Sequence, residues 1–310
     1  MLLNISKNYL IWSLAIIVAA VLWSLDGTLI RPHFYQFPAI NIVFLEHLFG
    51  AILLSPFVFW WWNRIKTMWK SSIGSLLWVS FFWGLFGTLM ITEAYFAAFR
   101  GETTFATVIL LQKLQPFFAL FLAGILLKEK LTKWFYTWAI VAIFSGYMIA
   151  FWSLGKSIFS LGISDNAALY AILAAFAFGS STVFWKNLVS YLWFRISTAL
   201  RFILTTILAG IVLFFISSFW SIASVTHFHW QLLILITCSS GAGALFLYYF
   251  GLKRVAASNA TIFELAWPLS GIFFDWYFNG NILNSTQIIF SVLLLISFFM
   301  IIEEHKTIKN

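Results

Sequence analysis

Residues 39–66 read AINIVFLEHLFGAILLSPFVFWWWNRIK, and this stretch contains the pattern that decides the fold. An apolar run of about 20 residues is long enough to cross the hydrocarbon core of a bilayer as a helix. The run ends in three tryptophans, a residue type that collects at membrane interfaces, and the basic residues Arg64 and Lys66 follow directly. We therefore interpret it as a transmembrane helix that ends at the cytoplasmic surface.

Runs of this kind recur along the whole chain. Because 62% of the 310 residues are hydrophobic and 9% are charged, the chain has too few polar side chains to cover a soluble domain. The length of the runs also excludes the alternating segments of about ten residues that are typical of a membrane β-barrel. We predict an all-α polytopic membrane protein with ten transmembrane helices. The runs cover residues 9–30, 39–62, 73–99, 103–127, 134–153, 166–188, 194–219, 229–251, 257–278 and 285–302.

Basic residues occupy alternate connections between the runs. If the N-terminus is cytoplasmic, thirteen of the 18 Lys and Arg residues lie on that side, whereas Arg31, Arg100 and Lys156 lie on the other. Lys113 and Arg201 remain inside runs. Because cytoplasmic connections are enriched in Lys and Arg, this distribution predicts that both termini are cytoplasmic. The formal charge of +8 is thus a topology signal, and it does not indicate a nucleic-acid partner.

The two halves of the chain, residues 1–155 and 156–310, each contain five of the runs. The connection Leu127-Lys-Glu-Lys-Leu131 is charged, whereas its counterpart in the second half, Asn279-Gly-Asn-Ile-Leu283, has no charged residue. An odd number of helices per half places the second copy upside down, so loop charges must exchange sides between the copies. The sequence therefore predicts two inverted five-helix repeats.

Two local sequences resemble the EamA-type branch of the drug/metabolite transporter superfamily. One is the proline-containing fourth run that leads into Leu127-Lys-Glu-Lys-Leu-Thr132, and the other is Glu264-Leu-Ala-Trp-Pro-Leu269 in the ninth run. The resemblance extends over essentially the whole chain, with five plus five helices and short connections. It implies a secondary transporter of a bacterial inner membrane whose central cavity, between the two halves, opens to each side in turn.

Ionisable residues inside the runs mark the candidate site, because a charge at the centre of a membrane helix costs about 2.5 to 3.5 kcal/mol. Lys113 lies near the middle of the fourth run. Glu264 lies in the ninth run, which enters the membrane from the opposite side. Pro116 removes the amide that would pair with the carbonyl of Gln112. Pro268 does the same for the carbonyl of Glu264, so we expect free acceptors or kinks at both points. We predict that Gln112, Lys113 and Glu264 form the centre of a substrate site, with a structural ion pair between Lys113 and Glu264 as the alternative.

A set of aromatic residues accompanies this predicted centre. They lie in runs that the family uses to line its cavity, and they are candidates for stacking on a flat or cationic substrate. Packing or lipid contact is the alternative for each of them. They are Trp23, Tyr95, Trp185, Tyr248 and Trp267.

Further polar residues inside the runs predict an outer vestibule or a proton path, with separate packing roles as the alternative. They are Asp26, Glu46, His47, Glu93 and Arg201. Asp275 lies close to the end of its run, and we expect it at the membrane interface instead.

These features predict a transporter for a small polar metabolite, with amino acids and related compounds favoured, driven by proton coupling or exchange. The alternatives are a polytopic enzyme that modifies a lipid-linked substrate, using Glu46, His47 or the outer histidines, and a passive channel. His227 and His229 lack a nearby third ligand, so we expect a surface pair and no metal site. The sequence has no Walker loop or dinucleotide fingerprint, and we expect no cofactor. The expected partners are a small-molecule substrate, the bilayer and, for a coupled mechanism, protons; a monomer is compatible with the sequence.

Overall fold

The structure, a computed structural model, describes residues 7–126, 133–150, 166–216, 224–252, 263–264 and 266–309. Within these ranges the regular elements are helices and no strand occurs. This confirms the prediction of an all-helical fold. The charged connection at residues 127–131 and the predicted repeat boundary between residues 155 and 156 lie outside the described residues.

The helices follow most of the predicted runs, but helix also covers the predicted connection at residues 63–72. Two of the connections between consecutive helices are π-helical segments. Val79–Gly87 joins α3 to α4, and Thr237–Gly241 joins α10 to α11. α1 continues through a π-helical turn, Asp26–Ile30, and then a 3₁₀ turn, Arg31–Phe34. The α-helices are α1 Lys7–Leu25, α2 Ala39–Trp60, α3 Trp62–Trp78, α4 Thr88–Phe99, α5 Phe105–Gln112, α6 Gln115–Leu126, α7 Lys133–Ala150, α8 Asn166–Tyr191, α9 Phe194–Phe215, α10 His227–Ile236, α11 Ala242–Leu252, α12 Ala266–Asn279 and α13 Ser285–Lys309.

Five helical stretches are long and apolar enough to cross a membrane. They are Leu10–Phe34, Ala39–Trp60, Ser72–Phe99, Phe194–Phe215 and His227–Gly251. Shorter apolar helices cover Phe105–Ala119, Asn166–Thr182 and Ser285–Ser297. These eight stretches fall in eight of the ten predicted runs, and α7 and α12 fall in the other two. The protein is a multi-pass membrane protein, and the number of ten spans stays a prediction.

The helices pack in pairs that recur with a fixed offset. α2 packs on α9, and α7 packs on α13. α1 packs on α11 and α12, while α8 packs on α3 and α4 and also on α5 and α6. If each predicted run is replaced by the run five places away in the chain, every one of these pairs maps onto another pair or onto itself.

The fourth run is broken close to its middle. The amides of Lys113 and Leu114 donate to the carbonyls of Leu110 and Leu111, which are three residues earlier, and a new helix begins at Gln115. Proline is tolerated in the first turn of a helix, where no earlier carbonyl needs its amide, so Pro116 follows directly. The predicted interruption therefore falls at Lys113.

A second interruption precedes α12, where Pro268 also lies in the first turn. The sequence predicts a free acceptor at the carbonyl of Glu264, but in the structure this carbonyl accepts from the amide of Trp267 at 3.0 Å. That carbonyl is not a free acceptor, because the chain forms a tight turn at this point that brings the Trp267 amide within reach.

Asp275 differs from its predicted place at the membrane interface, because its side chain is fully buried. Its Oδ2 accepts from the amide of Ala106 at 3.0 Å, in the first turn of α5. Its Oδ1 accepts from the side-chain amides of Asn279 and Asn281 at 3.1 and 2.8 Å. The carboxylate thus satisfies an amide that has no partner within its own helix, and it ties α12 to the start of α5.

Candidate functional site

Lys113, at the break between α5 and α6, is the cation at the centre of the candidate site. Its ammonium nitrogen lies 4.8 Å from the centre of the Trp267 ring, in the first turn of α12. Among the described residues it forms no hydrogen bond and no ion pair, although its side chain is only partly exposed. A cation over an aromatic face is attracted by the ring, but this contact does not use the three N–H donors. The donors of Lys113 therefore remain available for an acceptor on a ligand.

Glu264 lies close by and has a different partner. Its Oε1 accepts from the hydroxyl of Tyr248 in α11 at 2.6 Å. The charge of Glu264 acts on Lys113, but no ion pair within 4.0 Å joins the two among the described residues. The structure therefore does not contain the ion pair that was the alternative. Lys113 contacts Trp267, and Glu264 contacts Tyr248.

The ring of Tyr248 lies next to that of Trp23 in α1, with 5.6 Å between the ring centres. The indole N–H of Trp23 donates to the carbonyl of Ser240 at 2.8 Å, which fixes the plane of the indole. Both side chains are partly exposed. Trp23 also packs against two separate clusters of buried residues and so lies between them. The predicted residues Lys113, Trp267, Glu264, Tyr248 and Trp23 are therefore arranged around one region of the interior.

Gln112, the last residue of α5, precedes Lys113 directly. Its Oε1 is buried and has no hydrogen-bond partner within the described ranges. A buried polar atom without a partner is costly unless a ligand or water satisfies it, so this acceptor also fits a binding site.

A second aromatic group lies beside this region. Trp185 stacks on Tyr249 with 5.6 Å between ring centres and lies 6.3 Å from Trp83. The guanidinium of Arg201 lies over Trp83, 5.5 Å from its ring centre, and over Phe202 at 4.8 Å. The sequence predicts site roles for Trp185 and Arg201 but not for Trp83 and Tyr249. Nothing in the sequence distinguishes these two from the other Trp and Tyr residues, because their role depends on contacts between distant helices.

A pocket of about 460 Å³ opens next to this second group. It lies between α1, α9 and α11, and Tyr249 forms part of its wall together with Trp12 and Arg195. Tyr249 therefore faces both Trp185 and the pocket.

Tyr95 is placed differently from the other predicted aromatic residues. It is buried and stacks on Phe105, and its ring contacts Gly27 so closely that a Cβ at that position would overlap the ring. Its surroundings are those of a packed core, in contrast to the partly exposed Trp23 and Tyr248.

Two of the predicted vestibule residues contact Arg31, a cation that the sequence predicts in an outer connection. Arg31 is 5% exposed, because the π-helical turn and the 3₁₀ turn carry the chain on beyond α1 and keep this residue inside the protein. Its Nη2 donates to Asp26 Oδ2 at 2.7 Å and to Glu46 Oε2 at 3.0 Å. Nη1 donates to Thr92 in α4 at 3.1 Å, and the Ser240 hydroxyl donates to Asp26 Oδ2 at 2.8 Å. We call these five residues the Arg31 cluster.

The other predicted vestibule residues lie outside this cluster. His47 is buried, with Nδ1 at 2.8 Å from the carbonyl of Val43 and its ring 5.0 Å from that of Phe202. Glu93 is partly exposed and forms no hydrogen bond or ion pair with a described residue. The structure therefore divides the predicted group, with Asp26 and Glu46 at Arg31 and the remainder elsewhere.

Comparison with known proteins agrees with this architecture. The sequence profile of the EamA-like transporter family matches the chain twice, at residues 10–152 and 165–303. The chain belongs to the EamA-like transporter family. It is also 37% identical over 298 residues to the riboflavin transporter ImpX of Fusobacterium nucleatum subsp. nucleatum, a match that covers 95% of this chain and 98% of the relative. A solved crystal structure with 15% sequence identity shares the fold, with a TM-score of 0.57 over 96% of this chain and 99% of its own.

Family membership identifies this EamA protein as a membrane transporter and not an enzyme. The outer histidines, which the enzyme alternative invoked, take part in helix structure. His229 Nδ1 lies 2.8 Å from the hydroxyl of Thr226 at the start of α10, and His227 Nε2 lies 3.1 Å from the amide nitrogen of Gln231. The arrangement of the candidate site fits binding, with cation, acceptor and aromatic surfaces facing one region.

Proposed function

We propose that this EamA-family transporter moves riboflavin, or a flavin with the same ring system, across the membrane by alternating access. The observation that carries the proposal is the identity of 37% to a riboflavin transporter over nearly the full length of both chains. The sequence alone favours amino acids and related compounds, whereas this relative points to a flat heteroaromatic substrate.

The candidate site is chemically suited to a flavin. The isoalloxazine ring is flat and apolar on its faces, and it has carbonyl oxygens and an imide N–H along one edge. The partly exposed indole of Trp23 provides an aromatic surface for stacking, and such stacking contributes about 1 to 3 kcal/mol per ring in nucleobase sites. The free donors of Lys113 suit the ring carbonyls, and the unpaired Oε1 of Gln112 suits the imide N–H or a ribityl hydroxyl. The second carboxylate oxygen of Glu264 is a further acceptor.

We further propose that ten spans form two inverted repeats with both termini in the cytoplasm of a bacterial inner membrane. Three observations support this. The family profile matches each half separately, the helix pairs recur with an offset of five runs, and the basic residues favour one side. In such a scaffold the site lies where the two repeats meet, and rocking of one repeat against the other exposes it to each side in turn. The pocket beside Tyr249 then lies towards the cytoplasmic side.

Counterflow in proteoliposomes tests the proposed function. The purified protein is reconstituted in liposomes loaded with unlabelled riboflavin, and uptake of labelled riboflavin is measured from outside. We expect saturable uptake that excess riboflavin inhibits and that a panel of amino acids does not. Uptake no faster than in protein-free liposomes, or inhibition by an amino acid at equal concentration, would contradict the proposal.

A further inference from the structure

The Arg31 cluster carries an unbalanced charge. One guanidinium faces two carboxylates, and both contact the same nitrogen, Nη2. The exposed fractions of the three side chains are 6% for Arg31, 8% for Asp26 and 9% for Glu46. If both acids are ionised, the cluster holds one net negative charge inside the protein. A net charge in such surroundings is costly, and one bound proton removes it.

Asp26 has a carboxylate oxygen that can bind this proton. Its Oδ2 already accepts from Arg31 and from Ser240, whereas its Oδ1 is buried and has no hydrogen-bond partner in the described part of the chain. A proton on Oδ1 leaves both hydrogen bonds to Oδ2 in place. Glu46 then balances the charge of Arg31, so the cluster becomes neutral without a change of partners.

The charges that act directly on Asp26 are those of Arg31 and Glu46. α2 contributes the carboxyl group of Glu46, and α4 contributes the buried phenol of Tyr95. The π-helical segment between α10 and α11 contributes Ser240, which does not titrate. His229 in α10 is engaged with Thr226. Arg201 lies over the rings of Trp83 and Phe202, and its charge acts on Glu46. His47 Nδ1 lies against the carbonyl of Val43.

Ser240 connects the cluster to the substrate site. The hydroxyl of Ser240 donates to Asp26, and the carbonyl of the same residue accepts from the indole of Trp23. Ser240 belongs to the second half of the chain, and Asp26 and Trp23 belong to the first. A shift of Trp23 on binding a substrate therefore acts on the hydrogen bond that holds Asp26. π-helical turns, in which both Asp26 and Ser240 lie, are common at functional sites because they interrupt the regular helix ladder.

We propose that the carboxyl of Asp26, held between Arg31 and Ser240, is a proton-binding site that couples proton movement to substrate transport. This rests on the proposed flavin transport. A proton from water on the outer side adds to Oδ1 and forms an O–H bond, and the ion pair with Arg31 becomes a hydrogen bond to a neutral acid. When the protein opens to the cytoplasm, the O–H bond breaks and the proton returns to water. One proton thus moves in the same direction as one flavin.

The test measures proton and flavin movement in the same proteoliposomes, which contain a trapped pH-sensitive dye. With wild-type protein, addition of riboflavin outside should acidify the lumen as flavin enters. In Asp26→Asn, luminal acidification should fall to the level of protein-free liposomes, while flavin counterflow stays measurable. Glu102→Gln is the matched control, because it removes an outer carboxylate that pairs with the exposed Arg100. Flavin entry without acidification in the wild type, or acidification that persists in Asp26→Asn, would overturn the proton site.

Infrared spectroscopy tests the proton site without a flavin. The carbonyl band of a protonated carboxylic acid should be present in the wild-type protein, titrate with pH, and be absent from Asp26→Asn. Ser240→Ala keeps the charge count but removes one donor to Asp26, so the band should shift and titrate at higher pH. An identical band in the wild type and in Asp26→Asn refutes the site. If the infrared result holds but counterflow of riboflavin is absent, the proposed substrate fails and the proton site stands.

Discussion

The hydroxyl of Tyr248 donates to Glu264 across 2.6 Å, and the ring of the same tyrosine lies 5.6 Å from that of Trp23. Glu264 therefore accepts a hydrogen bond from a neutral hydroxyl group. The ammonium group of Lys113 has no carboxylate partner among the described residues. If Lys113 and Glu264 formed an ion pair, few of their donors and acceptors would remain for a neutral, hydrogen-bonding substrate. Here the donors of Lys113 and one oxygen of Glu264 remain for the ligand.

Removal of the Tyr248 hydroxyl tests this arrangement. In Tyr248→Phe, Glu264 loses its neutral donor and is free to turn towards Lys113. Since a hydrogen bond to a charged group contributes about 1.5 to 3 kcal/mol, we expect the Kd for riboflavin to rise by about tenfold or more. Quenching of flavin fluorescence by the purified protein measures the Kd. Tyr277→Phe, at a tyrosine in α12 that is 65% exposed, is the control and should bind like the wild type. An unchanged Kd in Tyr248→Phe would show that this hydrogen bond does not organise the site.

Replacement of Lys113 tests the cation itself. Lys113→Met retains much of the volume and packing against Trp267 but removes every donor. We expect the Kd for riboflavin to rise by about 10- to 100-fold, because hydrogen bonds from a charged donor are lost from a poorly hydrated site.

The matched control for Lys113 is Lys133→Met, at the exposed start of α7, which should leave flavin binding and counterflow unchanged. A purely structural Lys113 gives the opposite pattern. The melting temperature of Lys113→Met would then fall, while the Kd of the folded fraction would equal that of the wild type.

Much of the fold could be predicted from hydrophobic pattern alone. The run at residues 39–62 corresponds to α2 at Ala39–Trp60, and the proline rule placed an interruption in the fourth run. Both features depend on local sequence, since apolar length and the missing amide of Pro116 act within one helix.

Arg31 could not be placed correctly in this way. Its position near the end of an apolar run is typical of an interfacial residue, and no local pattern shows that π-helical and 3₁₀ turns extend the helix to Phe34. The prediction of an interfacial Asp275 is wrong for the same reason. Its partner Ala106 is 169 residues away in the chain. Contacts between helices decide such positions, and one sequence does not contain them.

The energetic role of Arg31 gives a third prediction. Arg31→Gln removes the cation that pairs with both Asp26 and Glu46, and removal of one partner from a buried ion pair costs about 3 to 5 kcal/mol. We expect a large fall in the free energy of unfolding, measured by denaturant titration in detergent. Arg100→Gln breaks the exposed ion pair with Glu102, and such pairs contribute about 0 to 1 kcal/mol.

Glu46→Gln in the Arg31→Gln background provides the complementary test. It removes one of the two unpaired carboxylates and should restore part of the lost stability. If Arg31→Gln is no less stable than Arg100→Gln, the charges of the cluster contribute nothing to the fold.

The inverted arrangement of the repeats predicts that equivalent connections lie on opposite sides of the membrane. Glu129 and Asn281 correspond between the two halves of the sequence, and Ile282, next to Asn281, is 79% exposed. In a Cys238→Ser background, a membrane-impermeant thiol reagent added to right-side-out vesicles should label Ile282→Cys. The same reagent should label Glu129→Cys only after the vesicles are opened, because the positive-inside rule predicts that this basic connection is cytoplasmic. Labelling of both cysteines from the outside would place the two halves in parallel. Alternating access by exchange of two inverted halves would then lose its structural basis, even if the protein transports flavin.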